Sequence, residues 1–254
     1  DGLPIEIRET VDLMSKKEAL YAVHFPMNHE QLQKGIKTLK YEEFLNFELA
    51  LSYRRMQREQ EVGYAKDFSL EEVNAFIHTL PFKFTKDQKQ SAKEILLDLH
   101  NPTIMYRFLQ GDVGSGKTIV AAIGLYANYL SGYQGALMAP TEVLATQHYS
   151  KLKKTFEAYN MNIALLTGSL TLKEKKEIYE GLKSGVIDLV IGTHALFQES
   201  VHYKNLGFVV TDEQHRFGVK QRKALKQKGE GVDFLVMSAT PIPRTLAMSL
   251  YGDM

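Results

Sequence analysis

The sequence contains no cysteine, and this absence excludes several classes of protein. A chain without thiols forms no disulfide framework, no thiolate nucleophile and no cysteine-ligated metal site. It also lacks any apolar run near the 18 residues of a membrane-spanning helix, and its first residues do not follow the pattern of a secretory signal. We therefore expect a soluble, cytoplasmic protein with no membrane partner, and a monomer by default.

A large excess of charge of one sign is also missing, since 31 lysines and arginines stand against 30 aspartates and glutamates. The overall charge therefore gives no electrostatic indication of nucleic-acid binding. The charge is unevenly divided, because residues 1–80 hold 10 basic and 14 acidic residues, whereas residues 81–254 hold 21 and 16. The 254 residues suffice for one large domain and an additional segment. Because the first residue is Asp1, we expect a piece of a longer protein.

The first 80 residues have the spacing of helices and carry no catalytic motif. Asn28 followed by Gln31, and Ser69 followed by Glu72, are typical of helix starts. Apolar residues then recur at intervals of three and four, and Pro81 ends the last helix of this segment. The buried face of that helix is expected to pack on a neighbouring domain and consists of Leu70, Val73, Phe76, Ile77 and Leu80.

From residue 81 the pattern changes to short apolar runs that alternate with longer amphipathic runs. This alternation predicts a parallel, doubly wound sheet flanked by helices. Ligands of such folds bind beyond the carboxyl ends of the strands, so functional motifs should follow strands directly. The predicted strands cover residues 104–110, 136–139, 163–166, 187–192, 208–211 and 234–238.

A glycine-rich run between the first predicted strand and a helix fits the pattern G-x-x-x-x-G-K-[ST] of a phosphate-binding loop. Its glycines let backbone N–H groups converge on a phosphate chain, and the helix N-terminus adds partial positive charge. We expect Lys117 to reach the β- and γ-phosphates of ATP and Thr118 to bind Mg²⁺. The alternative, a chance glycine-rich turn, is disfavoured by the strand–helix context. The loop consists of Gly111, Asp112, Val113, Gly114, Ser115, Gly116, Lys117 and Thr118.

Two carboxylates directly follow the hydrophobic strand at residues 208–211. Asp212 is expected to anchor Mg²⁺, and Glu213 to act as the base that activates the attacking water. A helix-capping role for Asp212 is the alternative. An acidic pair at the tip of a buried strand is costly unless a ligand occupies it, which favours the metal site.

The strings GDVGSGKT, DEQHRFGV and MSATPIPRTLA together resemble superfamily 2 helicases, and most closely the RecG family of bacterial branch-migration helicases. DEQHRFGV favours this family over the transcription-repair coupling factors. The run HFPMNHEQLQKGIKTLKYEEFLNFELAL also resembles the segment that joins the wedge domain of that family to its motor. The resemblance implies a RecA-like P-loop NTPase domain and a DNA-stimulated ATPase. Such an enzyme remodels stalled replication forks and Holliday junctions in recombination and repair.

The same resemblance implies a domain division. Residues 1–80 are expected to form a helical linker and residues 81–254 the first RecA-like domain. The wedge domain and the second RecA-like domain are expected to be absent from the chain. The second domain supplies an arginine finger, which is worth roughly 10³–10⁵ in turnover. We therefore expect the chain alone to bind ATP and Mg²⁺ but to be inactive as a helicase.

Further site residues follow from the resemblance position by position. Phe84 and Gln88 lie in a run that resembles the glutamine motif, and the amide of Gln88 has the chemistry to pair with adenine. Thr85 and Gln88 also match a capping box, so both interpretations stay open. The residues that resemble DNA-contact motifs, and are expected to hold successive phosphates, are Pro140, Thr141, Gln147, Thr167, Gly168, Thr193 and His194.

Three interpretations stay open at this point, and they concern the threonines of the DNA-contact motifs, Arg244 and a basic run. Each threonine of the DNA-contact motifs is also an ordinary helix cap. Ser238 and Thr240 resemble the motif that couples nucleotide state to DNA, with Gln214 and His215 in the same coupling role. Arg244 bridges to the γ-phosphate or the acidic motif, or forms a surface salt bridge. A basic run forms a solvated helix face or a duplex contact, and consists of Lys220, Arg222, Lys223, Lys226 and Lys228.

Two rival functions also remain. A nucleotide-dependent switch that controls a protein partner uses the same phosphate-binding loop without a motor. Gripping phosphates does not by itself distinguish DNA from RNA, so DNA as the substrate follows only from the family resemblance.

Overall fold

The computed structural model describes residues 3–59, 62–212 and 228–239. The chain divides into two compact units after Gln57. The second unit therefore begins at Arg58, upstream of the border at residue 80 that charge and pattern predict. None of the helices in the described ranges combines the length and the hydropathy that are needed to cross a bilayer.

The described part of the first unit contains the helices α1 (Ile5–Val11) and α2 (Lys16–His24) and all but the last two residues of α3 (His29–Glu59). Helix α3 begins where the sequence predicts, because the side chain of Asn28 accepts a hydrogen bond from the backbone N–H of Gln31 at 2.8 Å. Helices α2 and α3 approach closely at Gly35, where an added Cβ would lie 3.0 Å from the carbonyl oxygen of Ala19. The small side chains at this contact allow the two helices to pack backbone against backbone.

Helix α4 (Leu70–Thr79) belongs to the second unit and packs on its core. Its Val73 and Phe76 are fully buried, and the Phe76 ring stacks on Phe156 with 5.4 Å between ring centroids. The prediction for Leu70 is wrong, since this side chain is 60% exposed. Leu70 lies in the first turn of α4, where it borders an open groove towards α5 (Lys86–His100) instead of the core.

Six parallel strands form the sheet of the second unit, in the spatial order β1-β6-β5-β2-β4-β3. All six predicted strands are present, with ends within two residues of those predicted. The strands are β1 (Tyr106–Gln110), β2 (Gln134–Met138), β3 (Ile163–Leu166), β4 (Leu189–Gly192), β5 (Leu206–Asp212) and β6 (Asp233–Ser238). Three further helices connect strands along the chain, namely α6 (Lys117–Leu130), α7 (Glu142–Phe156) and α8 (Leu172–Ser184).

Both faces of this sheet are buried, as the near-continuous apolar strands predict. Along β5, Phe208 and Val210 pack into a cluster with residues of α5, α6 and α7, whereas Val209 packs into a second cluster that includes Leu182 of α8. Alternate side chains of one strand therefore support opposite layers. The predicted α/β class, a parallel sheet flanked by helices, is confirmed.

A buried ion pair joins the segment before α4 to the amino end of β6, beside the start of β1. The ammonium group of Lys66 donates to the carboxylate of Asp233, and both residues are at most 3% exposed. The second oxygen of Asp233 accepts from the backbone N–H of Met105 at 2.6 Å. Burial raises the pKa of Asp233 to about 6, against the opposing effect of Lys66. The pair binds residues upstream of position 80 to the sheet.

Candidate nucleotide and nucleic-acid site

The parallel sheet brings the described residues of the motifs that follow strands to one edge, because the carboxyl ends of its strands lie side by side. Gln110 at the end of β1 is in register with Ser238 at the end of β6, and Met237 is in register with Asp212 at the end of β5. The glycine-rich loop, Ser238 and the aspartate expected to anchor Mg²⁺ therefore lie at the carboxyl ends of three adjacent strands. On the other side of β5, the motifs expected to contact nucleic acid follow β2, β4 and β3.

The phosphate-binding loop joins β1 to α6 and is held from within by its own lysine. The ammonium group of Lys117 donates to the carbonyl oxygens of Gly111 and Asp112, at 2.6 and 2.9 Å. The N–H of Gly111 donates to the carbonyl of Ser238 at 3.2 Å, which ties the loop to the end of β6. The loop thus adopts its curved form through contacts made inside the protein.

The residues of this loop fit the chemistry of a phosphate chain. Gly114 and Gly116 have φ values of 81° and 86°, a left-handed conformation that favours glycine. An ideal Cβ on Gly114 would meet nothing within 4 Å, so the loop is open at this position. The N-cap Gly116 offers no side chain to the first N–H groups of α6, and the first turn of α6 holds no acidic residue. This donor set suits an anion.

Gln88 serves the cap and the loop at the same time. Its Oε1 accepts from the N–H of Thr85 at 2.9 Å, and its own N–H donates to Thr85 Oγ1, so the capping box is present. Its Nε2 donates to the carbonyl of Ser115 at 2.7 Å. Each end of the amide retains one further hydrogen-bonding position, so the adenine contact stays a prediction compatible with both bonds. Phe84 packs on the hydrophobic core beside this cap.

Asp212 ends β5 and has a partner on helix α7. The Nε2 of His148 donates to Asp212 Oδ2 at 2.6 Å. His148 is only 9% exposed and stands in α7 on the same face as the buried Ala145 and Leu152. The carboxylate expected to anchor Mg²⁺ is therefore held by a side chain from the other half of the edge.

The predicted DNA-contact residues after β2 and β3 are joined by a glutamate. Thr141 caps α7 by accepting from the N–H of Leu144, so the capping role is present. Glu142, the first residue of α7, accepts from the N–H of Gly168 at 2.7 Å through Oε1. Thr167 is 3% exposed and its hydroxyl lies 3.0 Å from that of Ser169. The bond from Gly168 to Glu142 thus connects the predicted DNA-contact residues after β3 to those after β2.

The remaining described DNA-contact residues differ in exposure. Gln147 and His194 are exposed, Pro140 is half-buried, and Thr193 is buried at the end of β4 with no hydrogen bond from its side chain to the helical turn that it begins. Exposed polar groups are available to a ligand directly. The buried threonines serve first to shape the backbone at the strand ends.

The sequence that forms this edge, with the phosphate-binding loop after β1 and Asp212 at the end of β5, matches a known family. Residues 85–249 match the family described as DEAD/DEAH box helicase, which is more than half of the chain. The chain belongs to the DEAD/DEAH box helicase family.

RecG proteins are relatives that match this chain over its whole length. It is 51% identical to the ATP-dependent DNA helicase RecG of Bacillus subtilis, over all of this chain and 37% of that protein. It is 50% identical to RecG of Thermotoga maritima, over all of this chain and 33% of that protein. The resemblance to RecG that the motifs indicate is confirmed, and the chain spans about a third of the length of these relatives.

Solved structures agree with this assignment. The structure of RecG bound to a three-way DNA junction matches with a TM-score of 0.85 and 47% identity, over 99% of this chain and 34% of that chain. The UvsW helicase from bacteriophage T4 matches with a TM-score of 0.52 and 18% identity, over 75% of this chain and 67% of that chain. The second match shows a shared helicase fold and nothing finer.

Several helicase motif residues lie outside the described parts of the chain. Lys228 of the predicted basic run is described, and its ammonium group donates to the carbonyls of Gln198 and Val201 at 2.6 and 2.7 Å. The ammonium group of Lys228 is therefore bound by backbone carbonyls of the same chain. The predicted residues outside the described ranges are Glu213, Gln214, His215, Thr240 and Arg244, together with Lys220, Arg222, Lys223 and Lys226.

Two residues of this helicase edge were missed by the sequence analysis. His148 follows Gln147 and occupies a place in the apolar stripe of α7, where a polar residue is a signal of a specific partner. Glu142 stands next to the predicted Thr141, but its bond to Gly168 joins residues 26 positions apart. Only the tertiary structure brings these two pairs together.

Proposed function

We propose that this chain is the ATP-hydrolysing motor region of a DNA helicase that remodels branched DNA. The division of the carboxyl edge carries this proposal. The phosphate-binding loop, Ser238 and the acidic residue lie at the ends of the adjacent strands β1, β6 and β5, whereas the motifs expected to contact nucleic acid follow β2, β4 and β3. A motor that converts hydrolysis into movement along a strand needs these two sites on one rigid body.

In this proposal the residues of the nucleotide half have separate roles. Lys117 exchanges its two carbonyl partners for phosphate oxygens, and the N–H groups at the start of α6 receive the same phosphates. Thr118 and Asp212 hold Mg²⁺, which when bound neutralises charge on the phosphates. Glu213 accepts the proton of the attacking water. Gln88, which touches the loop at Ser115, also contacts adenine.

In the other half, Thr141, Gln147, Gly168 and His194 grip consecutive phosphates of a nucleic-acid strand. Phosphate contacts fix register and do not select the sugar. The choice of branched DNA is supported by the 47% identical RecG structure, which is bound to a three-way DNA junction. The N-terminal helices join the motor to a wedge domain, and the protein acts as a monomer in the cytoplasm.

The decisive experiment measures ATP hydrolysis by the full-length parent protein with forked DNA, linear duplex, single-stranded DNA and RNA. We expect forked DNA to stimulate turnover at least tenfold more than linear duplex does. Equal stimulation by linear duplex contradicts the branched substrate and leaves a general translocase. A lack of response to every nucleic acid contradicts the motor and favours the nucleotide-dependent switch.

A matched variant separates chemistry from binding in the same assay. Replacing Glu213 with Gln keeps the size of the side chain and removes the base, so turnover should fall by roughly 10²-fold or more. The affinity for ATP should stay within about threefold of the wild type, because a residue that acts on water contributes little to ground-state binding. Undiminished turnover would show that Glu213 is not the base.

A further inference from the structure

Helix α7 touches both halves of the functional edge. Its first turn carries Thr141 and Glu142, and Glu142 holds the Gly168 N–H of the second DNA-contact motif at 2.7 Å. Two turns later His148 donates to Asp212 at 2.6 Å. Seven residues separate Thr141 from His148, which corresponds to about 10 Å along a helix.

The packing of helix α7 makes it a rigid unit. Ala145, Leu152 and Phe156 are at most 1% exposed and pack with α6 and β4 residues in one cluster. A shift at the first turn is therefore transmitted to His148, because a packed helix does not bend over two turns without losing hydrogen bonds.

The bond to His148 restricts the carboxylate that anchors Mg²⁺. One of the two oxygens of Asp212 is occupied by the imidazole, so the carboxylate has fewer orientations and loses less freedom when it receives an ion. A displacement of about 1 Å breaks a bond of this length, and misplacement of that size has large effects on catalytic groups.

We propose that His148 is a positioning residue that couples nucleic-acid contact at the start of α7 to the orientation of the Asp212 carboxylate. Phosphates gripped by the first turn shift α7, and His148 carries this shift to the metal-binding residue. The proposal rests on the proposed function, since it assumes that the start of α7 contacts nucleic acid.

The test measures binding, so that it does not depend on turnover. The full-length protein is titrated with a fluorescent non-hydrolysable ATP analogue and Mg²⁺, with and without saturating forked DNA. The ratio of the two dissociation constants is the coupling factor, which typically lies at about 5–150 in coupled systems. The Mg²⁺ concentration for half-maximal analogue binding is recorded in the same titrations.

Three variants make the test specific. His148→Leu removes the donor, and we expect the coupling factor to fall at least about threefold and the Mg²⁺ requirement to rise about tenfold. His148→Gln places an amide donor near the same point and should restore most of both values. Leu152→Val loosens the packing of the same helix without touching Asp212 and should keep the wild-type coupling factor. If His148→Leu does not fold, His148→Asn, whose amide is too short to reach, replaces it.

Each other outcome has a defined meaning. A wild-type coupling factor in His148→Leu overturns the role of His148 while the proposed function stands. Equal loss in His148→Leu and Leu152→Val, or no restoration by His148→Gln, shows that His148 is merely part of the packing. A factor of one in the wild type, together with no stimulation of hydrolysis by DNA, overturns the proposed function as well.

Discussion

Single residues of this chain often satisfy two requirements at once, and this explains why their roles looked ambiguous in the sequence. Gln88 closes the capping box of α5 and also holds the phosphate-binding loop at Ser115. Thr141 caps α7 at a position expected to contact phosphate. A cap fixes where the helix begins, so the same bond places the backbone amides that a ligand uses.

Gln134 offers the clearest prediction at the scale of one residue. Its amide is buried and makes four hydrogen bonds, donating to the carbonyls of Leu182 and Ile187 and accepting from the N–H groups of Lys204 and Asn205. Replacing Gln134 with Leu removes all four bonds. Lys204 N–H and the Leu182 carbonyl keep a bond to each other at 3.1 Å, whereas the Ile187 carbonyl and the Asn205 N–H lose the amide that they share. We expect the free energy of unfolding to fall by about 2–5 kcal/mol, measured by urea denaturation.

An exposed glutamine provides the control for this substitution. Gln90 lies on the surface of α5, and its amide donates to Glu94 of the same helix at 2.7 Å. Gln90→Leu should change the free energy of unfolding by less than about 0.5 kcal/mol. If the two variants lose the same stability, the four bonds of Gln134 contribute nothing beyond a generic effect of the substitution.

At the scale of secondary-structure elements, the segment before residue 80 is divided differently from the pattern in the sequence. Its charge and helical spacing resemble those of the N-terminal helices, yet α4 packs its Phe76 among Tyr126, Phe156 and Tyr159. The Lys66–Asp233 pair holds the preceding stretch to β6 in the same unit. Contacts between distant residues decide this border, and a local pattern does not contain them.

The buried ion pair predicts a large coupling energy. Lys66→Met leaves the carboxylate of Asp233 unpaired, and Asp233→Asn leaves the ammonium group unpaired, so each should cost about 3–5 kcal/mol of unfolding free energy. The double variant should cost much less than the sum of the two, because neither charge remains buried without its partner.

The pair should be measured at pH 8, well above the pKa of about 6 to which burial raises Asp233, so that the carboxylate is ionised. Urea denaturation of the four proteins completes the cycle. The surface pair Lys176–Glu180, which is 3.9 Å apart and exposed, is the control and should show a coupling below about 1 kcal/mol. Additive effects for Lys66 and Asp233 would contradict a direct interaction.

At the scale of the whole second unit, strand order separates the two functions of the edge. The chain visits the strands in an order that differs from their positions in the sheet, so the loop after β1 and the aspartate after β5 lie on one side of β2. Strands are about 4.8 Å apart, which places each half of the edge within the size of a nucleotide or a short run of phosphates.

This separation predicts that a variant in one half weakens mainly the binding of DNA and a variant in the other half mainly the binding of ATP. In the full-length protein, His194→Ala should weaken forked-DNA binding about fivefold and ATP binding less, whereas Lys117→Met should do the reverse. Fluorescence anisotropy with labelled fork and labelled nucleotide measures both affinities. Thr155→Val, at the far end of α7 where the hydroxyl bonds its own helix, is the control. Equal losses of both ligands in either variant would contradict two separate sites.

The sequence by itself determined the local features of this protein. Alternating strands and helices, the glycine loop and the helix starts depend on residues within one or two turns of each other, so the six strands and the capping box of Gln88 could be predicted. The tertiary structure alone decided the strand order, the membership of α4 in the second unit and the contacts of His148 with Asp212 and Glu142 with Gly168. These depend on which distant residues meet in the core, because their energy comes from packing and burial that no local pattern encodes.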